Sequence, residues 1–245
     1  EVILIARDWQ KEVGGGESRA GYLGSGLSKF AFKGRLGPNN CAILQSKSFV
    51  ADTGANQNDL LDELALLSLG QWFLDSFYKL SIIYIKAHNS FLAMKWNTTD
   101  TFVGTVVTAV TPIAGRPAAG EKDNRTLLFP DFLVTPLLPS GSQYREVKFS
   151  GNEDFGNNTD PVGEAVDAYA HHTVADSFGD VLFADLQGKP MPSFETGYWD
   201  KGPGMIQAFL RQHQCNHICK KMKLPQATKD LKVELLGQST SAPTA

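Results

Sequence analysis

The chain has 245 residues, 42% hydrophobic and 20% charged, which suits one large domain or two small lobes with a sizeable core and argues against general disorder. Its formal net charge of -3 at pH 7 lacks the basic footprint of a protein that works on nucleic acid or an anionic membrane. No run of about 18 or more apolar residues occurs, so no membrane-spanning helix is expected, and the apolar stretch Val2 to Ala6 is too short for a secretory signal. The 3 cysteines are an odd number, and two lie four apart. That pattern disfavours a disulfide framework and points to a reduced, cytoplasmic setting with a candidate metal site.

Taken in chain order, the segment 12–26 is rich in glycine, including Gly21, Gly24 and Gly26, and leads into the strand-like alternation 29–33. The turn 37–40 and a second strand at 41–44 complete a predicted hairpin. Residues 60–80 carry leucines and aromatics at helical spacing, with Asn58 or Asp59 as cap. Strands are predicted over 81–87, 91–96 and 101–113, the last rich in valine and threonine. A loop is expected at 114–124 and an extended apolar connector at 132–138. Then come a short strand at 144–149, a helix at 162–174 and a buried strand at 181–186. Pro203 suits the first turn of a final helix, and the polar tail after Leu224 is expected to fray. The order of elements predicts an α+β fold, arranged as two lobes.

Three constellations can carry chemistry. His213-Gln214-Cys215-Asn216-His217-Ile218-Cys219 offers imidazole and thiolate ligands at local spacings that zinc uses. In one unbroken helix His213 would point about 200° away from Cys215, so the three ligands converge only if the helix starts, ends or bends there. A remote fourth ligand is also required, with His171 or His172 as candidates. The second constellation is Gly21-Tyr22-Leu23-Gly24-Ser25-Gly26, whose bare amides can cradle phosphate or form a plain turn. The third is Asp185-Leu186-Gln187-Gly188, where a carboxylate at a strand end can hold Mg²⁺ against nucleotide phosphates.

Together these segments resemble the atypical alpha-kinase family. The resemblance is carried by Ala168-Tyr169-Ala170-His171-His172-Thr173, by Val181 to Gly188 with its DLQG, by Gly204-Met205-Ile206-Gln207-Ala208-Phe209, by His213-Gln214-Cys215-Asn216 and Cys219, and by Leu224-Pro225. It implies a two-lobed kinase-like fold that binds ATP and transfers its γ-phosphate to serine or threonine of a protein substrate. The N-lobe would span 1–135, the C-lobe 136–228 and a flexible tail 229–245. By position, zinc would be held by His171, His213, Cys215 and Cys219. Asp185 would bind magnesium beside Gln187, the glycines would meet the phosphates, and the segment from Leu133 through Thr135 would offer backbone groups to adenine. The turn 202–204 would lie near the peptide substrate.

The sequence also departs from the family. A phosphate-contacting lysine is expected near Leu44 or Gln45 and is missing there; Lys47, Lys29 and Lys33 are the substitutes at hand, Lys47 lying on the face of Gln45. Thr135 stands where the family hinge usually has glutamate. After Gly188 the family's aspartate-proline loop is replaced by Lys189 to Glu195, leaving Glu195 or Asp200 as replacement carboxylates. Two readings follow: an active ATP-dependent protein kinase, or a pseudokinase acting as a nucleotide-binding or protein-interaction module.

Overall fold

The computed structural model describes residues 3–5, 21–26, 28–47, 52–85, 94–106, 129–138, 146–151, 155, 157–188, 193–195 and 203–226. The chain divides into two compact units, one of residues 1–68 with 97–139, the other of 69–96 with 140–245.

The first unit is built on an antiparallel sheet. Strand β3 (Lys29–Leu36) is its spine, paired along its full length with β4 (Asn39–Ser46). On its other edge two short strands lie end to end, β1 (Ile3–Ile5) against residues 34–36 and β2 (Tyr22–Ser25) against 30–32. Strand β7 (Asp131–Pro136) pairs with β4, and β6 (Phe102–Thr105) closes the far edge. Directly opposed residues share a face of a sheet. One face therefore gathers Phe30, Phe32, Cys41, Ile43 and Val134 into a buried cluster. The opposite face carries Lys29, Ala31, Leu44 and Leu133. The segment expected as a connector is thus an interior strand, because Leu133 and Val134 pack on the two faces at once.

Helix α1 (Thr53–Ile85) runs 33 residues and contributes to both units. Its start lies earlier than predicted. Asp52 accepts from the amide of Ala55 at 2.8 Å, which makes Asp52 the capping side chain instead of Asn58 or Asp59. Its end lies later: residues 81–85 are helical, not the start of a strand. Ser81 turns its hydroxyl back onto the Tyr78 carbonyl at 2.8 Å, satisfying itself within the helix.

In the second unit, Trp96, Tyr169, Phe183, Phe73 and Phe77 form an aromatic core. The indole of Trp96 donates to the Tyr169 hydroxyl at 3.0 Å, and that hydroxyl donates to the Gly70 carbonyl at 2.9 Å. A small sheet orders β5 (Lys95–Trp96), β10 (Ser193–Glu195), β9 (Gln187–Gly188) and β8 (Val147–Lys148). The strand predicted at 181–186 is absent: the backbone there is irregular, Asp185 adopts φ 53, and strand pairing begins only at Gln187. Helix α2 (Pro161–Asp176) starts at Asp160, whose carboxylate accepts from Val162 and Gly163 amides, with Pro161 in the first turn. Residues 165–174 of α2 are all buried, so this helix is central to the unit. Helices α3 (Pro203–Gln212) and α4 (His217–Lys221) follow. Among the described residues, no helix is long and apolar enough to cross a membrane.

Candidate functional site

The helix that the sequence leaves ambiguous around His213 is broken into two. The His213 amide still bonds to the Phe209 carbonyl at 2.8 Å, as the last turn of α3. Gln214 then donates to the Asn157 side chain at 2.9 Å, leaving the helical path. Asn216 caps α4, accepting from the amides of Ile218 and Cys219, and donates to the Glu164 carbonyl of α2 at 2.7 Å. This bend satisfies the condition for convergence. His213, Cys215 and Cys219 meet His171 of α2, and one ligand atom from each lies within 4.8 Å of the others.

Two ligand pairs of the cluster have a spacing compatible with a tetrahedral ion. Cys215 Sγ lies 3.7 Å from His171 Nδ1, and Cys219 Sγ lies 3.6 Å from His213 Nε2. A zinc with bonds of about 2.3 Å to sulfur and about 2.0–2.1 Å to nitrogen would separate such ligands by about 3.5–3.6 Å. His172 is the remote alternative that the structure turns away. It packs against Phe77 and lies 3.7 Å from Asp176.

Burial sets the charge state of this cluster. It pushes His171 down to about 3, with His213 beside it adding a smaller depression, and it lowers His213 to about 4. Burial, then the neighbouring Cys215, pushes the Cys219 thiol up to about 12. The imidazoles are thus held neutral, as metal ligands must be, while the thiol needs a cation to ionise it. A histidine depressed on folding binds its proton more tightly in the unfolded chain, so stability falls as pH drops from about 6.5 toward the folded values. Asp167, raised by burial to about 6, acts in the opposite sense between about 6 and 3.9, but with one smaller shift against two larger ones. Chelator-treated protein is therefore expected to melt lower at pH 5 than at pH 7; an equal or higher melting temperature would contradict neutral buried histidines.

The DLQG segment lies elsewhere in the same unit. Asp185 sits in a left-handed backbone conformation, φ 53, which is unfavourable for a side chain with a Cβ and concentrates at functional sites. Its amide bonds to the Gly151 carbonyl at 3.2 Å, and Leu186 donates to Ser150 Oγ at 3.0 Å. Lys148 Nζ stands 2.5 Å from Asp185 Oδ1. Gln187 is half-buried in β9, paired with Lys148 on one side and Glu195 on the other. Glu195 is thereby brought next to Gln187 along the backbone, whereas Asp200 and the aspartate-proline replacement 189–192 lie outside the described residues.

In the first unit the glycines form a hairpin with β3. Gly24 has φ 155 beside a bulge between Tyr22 and Gly24, a conformation open to glycine. The Gly21 carbonyl accepts from the Lys33 amide at 2.7 Å, and the Gly26 amide bonds to the Lys29 carbonyl at 3.0 Å. Lys47 Nζ donates to the Gly26 carbonyl and lies 4.9 Å above the Phe30 ring. Leu133 is fully buried, and strands pair along both its edges, with Leu44 and with Val103. Its main chain is thus paired with strands on both sides. Thr135 pairs with Ala42 and lies beyond the last β6 pair, so its other edge is not occupied by β6. The sequence reading did not find Asn157, Asn158 and Glu164 as props of the cluster. Asn158 donates to Asp167 and to the Phe149 carbonyl. Nothing in their spacing marks them.

An α+β architecture with a kinase-like fold is the class these features define. The Alpha-kinase family matches residues 31–219. The chain belongs to the alpha-kinase family. The alpha-kinase domain of myosin heavy chain kinase A, solved as a complex with ADP, shares 14% identity at a TM-score of 0.54, covering 84% of this chain and 86% of that one. An inactive form of the alpha-kinase domain of myosin-II heavy chain kinase A, complexed with ATP, gives 13% identity and a TM-score of 0.55, over 83% and 87% of the two chains. No curated protein sequence matches significantly.

Proposed function

We propose that the chain is an ATP-dependent serine/threonine protein kinase of the alpha type. The observation that carries this reading is Asp185, held in a strained left-handed conformation two residues before Gln187 in a chain of the alpha-kinase family. The nucleotides bound to the myosin heavy chain kinase A domains support ATP as the substrate here. Transfer forms a bond between the acceptor hydroxyl oxygen and the γ-phosphorus, breaks the bond to the β-γ bridging oxygen, and leaves ADP. The hydroxyl proton passes to a carboxylate or solvent, with Glu195 or Asp200 assigned to orient that hydroxyl.

Such transfer depends on positioning and on neutralising phosphate charge. Asp185 would hold magnesium, with Gln187 beside it, and the ion would supply that neutralisation. Lys148, paired with Asp185, would have to release that carboxylate for it to hold the cation. Amides of the Gly21–Gly26 hairpin receive phosphate, and Thr135 offers the hinge contact. Zinc held by His171, His213, Cys215 and Cys219 is structural, because all four positions are filled by protein ligands. In this reading residues 1–135 are the N-lobe, 136–228 the C-lobe and 229–245 a tail, and the protein works in the cytoplasm on a protein substrate without binding nucleic acid or membrane.

A pseudokinase is the second reading. It is favoured by Leu44 and Gln45 at the expected lysine position and by Lys189 to Glu195 in place of the aspartate-proline loop. The test is phosphate transfer from labelled ATP and Mg²⁺ to the protein itself and to a generic basic substrate. Asp185→Ala is expected to lower transfer by about 10²-fold or more while leaving the melting temperature within a few degrees. Folded wild-type protein that transfers nothing would leave the pseudokinase.

A further inference from the structure

We propose that Lys29 is the phosphate-contacting lysine of this chain, displaced by one strand from the expected position and oriented by Glu63. The inference rests on the kinase reading and supplies the cation it lacks. In the β3–β4 register Lys29 lies opposite Ser46, and Ala31 lies opposite Leu44. Lys29 and Leu44 therefore share a face as diagonal cross-strand neighbours, a separation that a long side chain spans. An ammonium carried by Lys29 reaches the region a lysine at 44 would occupy.

The partner on α1 has the matching geometry. Asn56, Leu60, Glu63 and Leu67 follow each other on one face of the helix, and the other three are buried. A carboxylate in that stripe is out of place for packing alone. It forms an ion pair with Lys29 Nζ, with side-chain exposures of 16% for the lysine and 30% for the glutamate. A half-buried pair of this kind adds little stability over apolar residues, which makes packing a poor reason for it. The residual exposure leaves the ammonium an open side. In protein kinases a strand lysine that contacts the phosphates is fixed by a carboxylate from a neighbouring helix, and Lys29–Glu63 has that form.

The other lysines are engaged elsewhere. Lys47 lies on the opposite face of the sheet, its ammonium bound to the Gly26 carbonyl and stacked on Phe30. It clasps the hairpin turn on the side away from Glu63. Lys33 is exposed, four residues further along β3. Lys29 is next to the turn itself, since its carbonyl receives the Gly26 amide. Phosphate on the turn amides would thus be within reach of its ammonium, which donates hydrogen bonds and takes part in no covalent step.

The experiment measures MgATP binding and phosphate transfer in wild-type protein, Lys29→Met, Lys29→Arg, Lys47→Met, Glu63→Gln and the double variant Lys29→Met with Leu44→Lys. Lys29→Met is expected to lower kcat/KM by about 10²-fold or more, and Lys47→Met by about tenfold at most. Lys29→Arg keeps the ion pair and the melting temperature but loses more than about tenfold, because a planar fork does not replace a point charge. Glu63→Gln raises KM for ATP. A lysine restored at 44 recovers at least about tenfold of the loss, which a merely structural Lys29 would not permit. Transfer insensitive to Lys29, a larger loss at Lys47, or no recovery at 44 would overturn the assignment while leaving the kinase reading standing. MgATP binding that needs Lys29 in a protein without transfer would sustain Lys29 and overturn the kinase reading. Absence of MgATP binding would overturn both.

Discussion

Replacing Cys219 with serine is expected to unfold the second unit or to lower its melting temperature by more than about 10 °C. Cys219 is almost fully buried, at 1% exposure. It lies 3.6 Å from His213 Nε2, with its amide taken up by the Asn216 cap. Structural zinc contributes on the order of 10 kcal/mol or more of apparent folding free energy in small domains, and a hydroxyl is a poor ligand in place of a thiolate. The cluster ties α2 to the segment joining α3 and α4, so its loss is felt across the unit. Metal analysis should find about one zinc per chain in the wild type and less in Cys219→Ser, and a chelator should lower the melting temperature of the wild type but not that of Cys219→Ser. Cys41→Ser is the control, being equally buried but in the first unit's sheet; its melting temperature should remain sensitive to chelator. Zinc-free wild-type protein that melts identically with and without chelator would refute the metal site.

The second large effect is expected at Gly70. In most helix interiors Gly→Ala stabilises by about 0.5–1 kcal/mol. Here a Cβ would stand 2.4 Å from Trp96 Cε2 and 2.7 Å from two further ring atoms. That ring is held by its indole hydrogen bond to Tyr169, and its backbone by the N–H of Trp96 donating to Gln71 Oε1 at 2.9 Å, so it has little freedom to move aside. Overpacking therefore outweighs propensity, and Gly70→Ala should destabilise by about 3 kcal/mol. For a chain of this size that is a fall of about 6–12 °C in melting temperature. A melting temperature equal to or above wild type would show that the ring yields, and would sink the claim of a rigid contact.

The most legible parts of the sequence were those with local chemical punctuation. Pro203 marks the start of α3, and the His-x-Cys-x3-Cys spacing marks the cluster, with the bend at Asn216 needed to complete it. The misread parts lack such marks. Ile82, Ile83 and Tyr84 have strand propensity, yet all three are exposed and no glycine or proline ends α1 before them, so the helix begun upstream runs on through them against their residue type. Val181 to Leu186 reads as a strand because an apolar run is equally suited to irregular chain laid against a core. Phe183 and Leu186 are buried there without any ladder. The interior place of Leu133 depends on Leu44 and Val103, both remote in sequence. The Lys29–Glu63 pair likewise became visible only when β3 and α1 were brought together.

Helix α2 has a consequence for the order in which the chain can acquire its shape during synthesis. Its residues 165–174 are buried on every side, and part of what covers them, from Phe209 to Cys219, emerges from the ribosome about 40 residues later. At about 5–20 residues per second, that interval lasts about 2–8 s. For those seconds a helix whose middle has no solvent-facing side in the finished fold lacks its cover, and His171 waits without its three companions. The nascent chain is at its most adhesive in that window, so chaperone occupancy should rise once α2 is exposed and fall as Cys219 emerges.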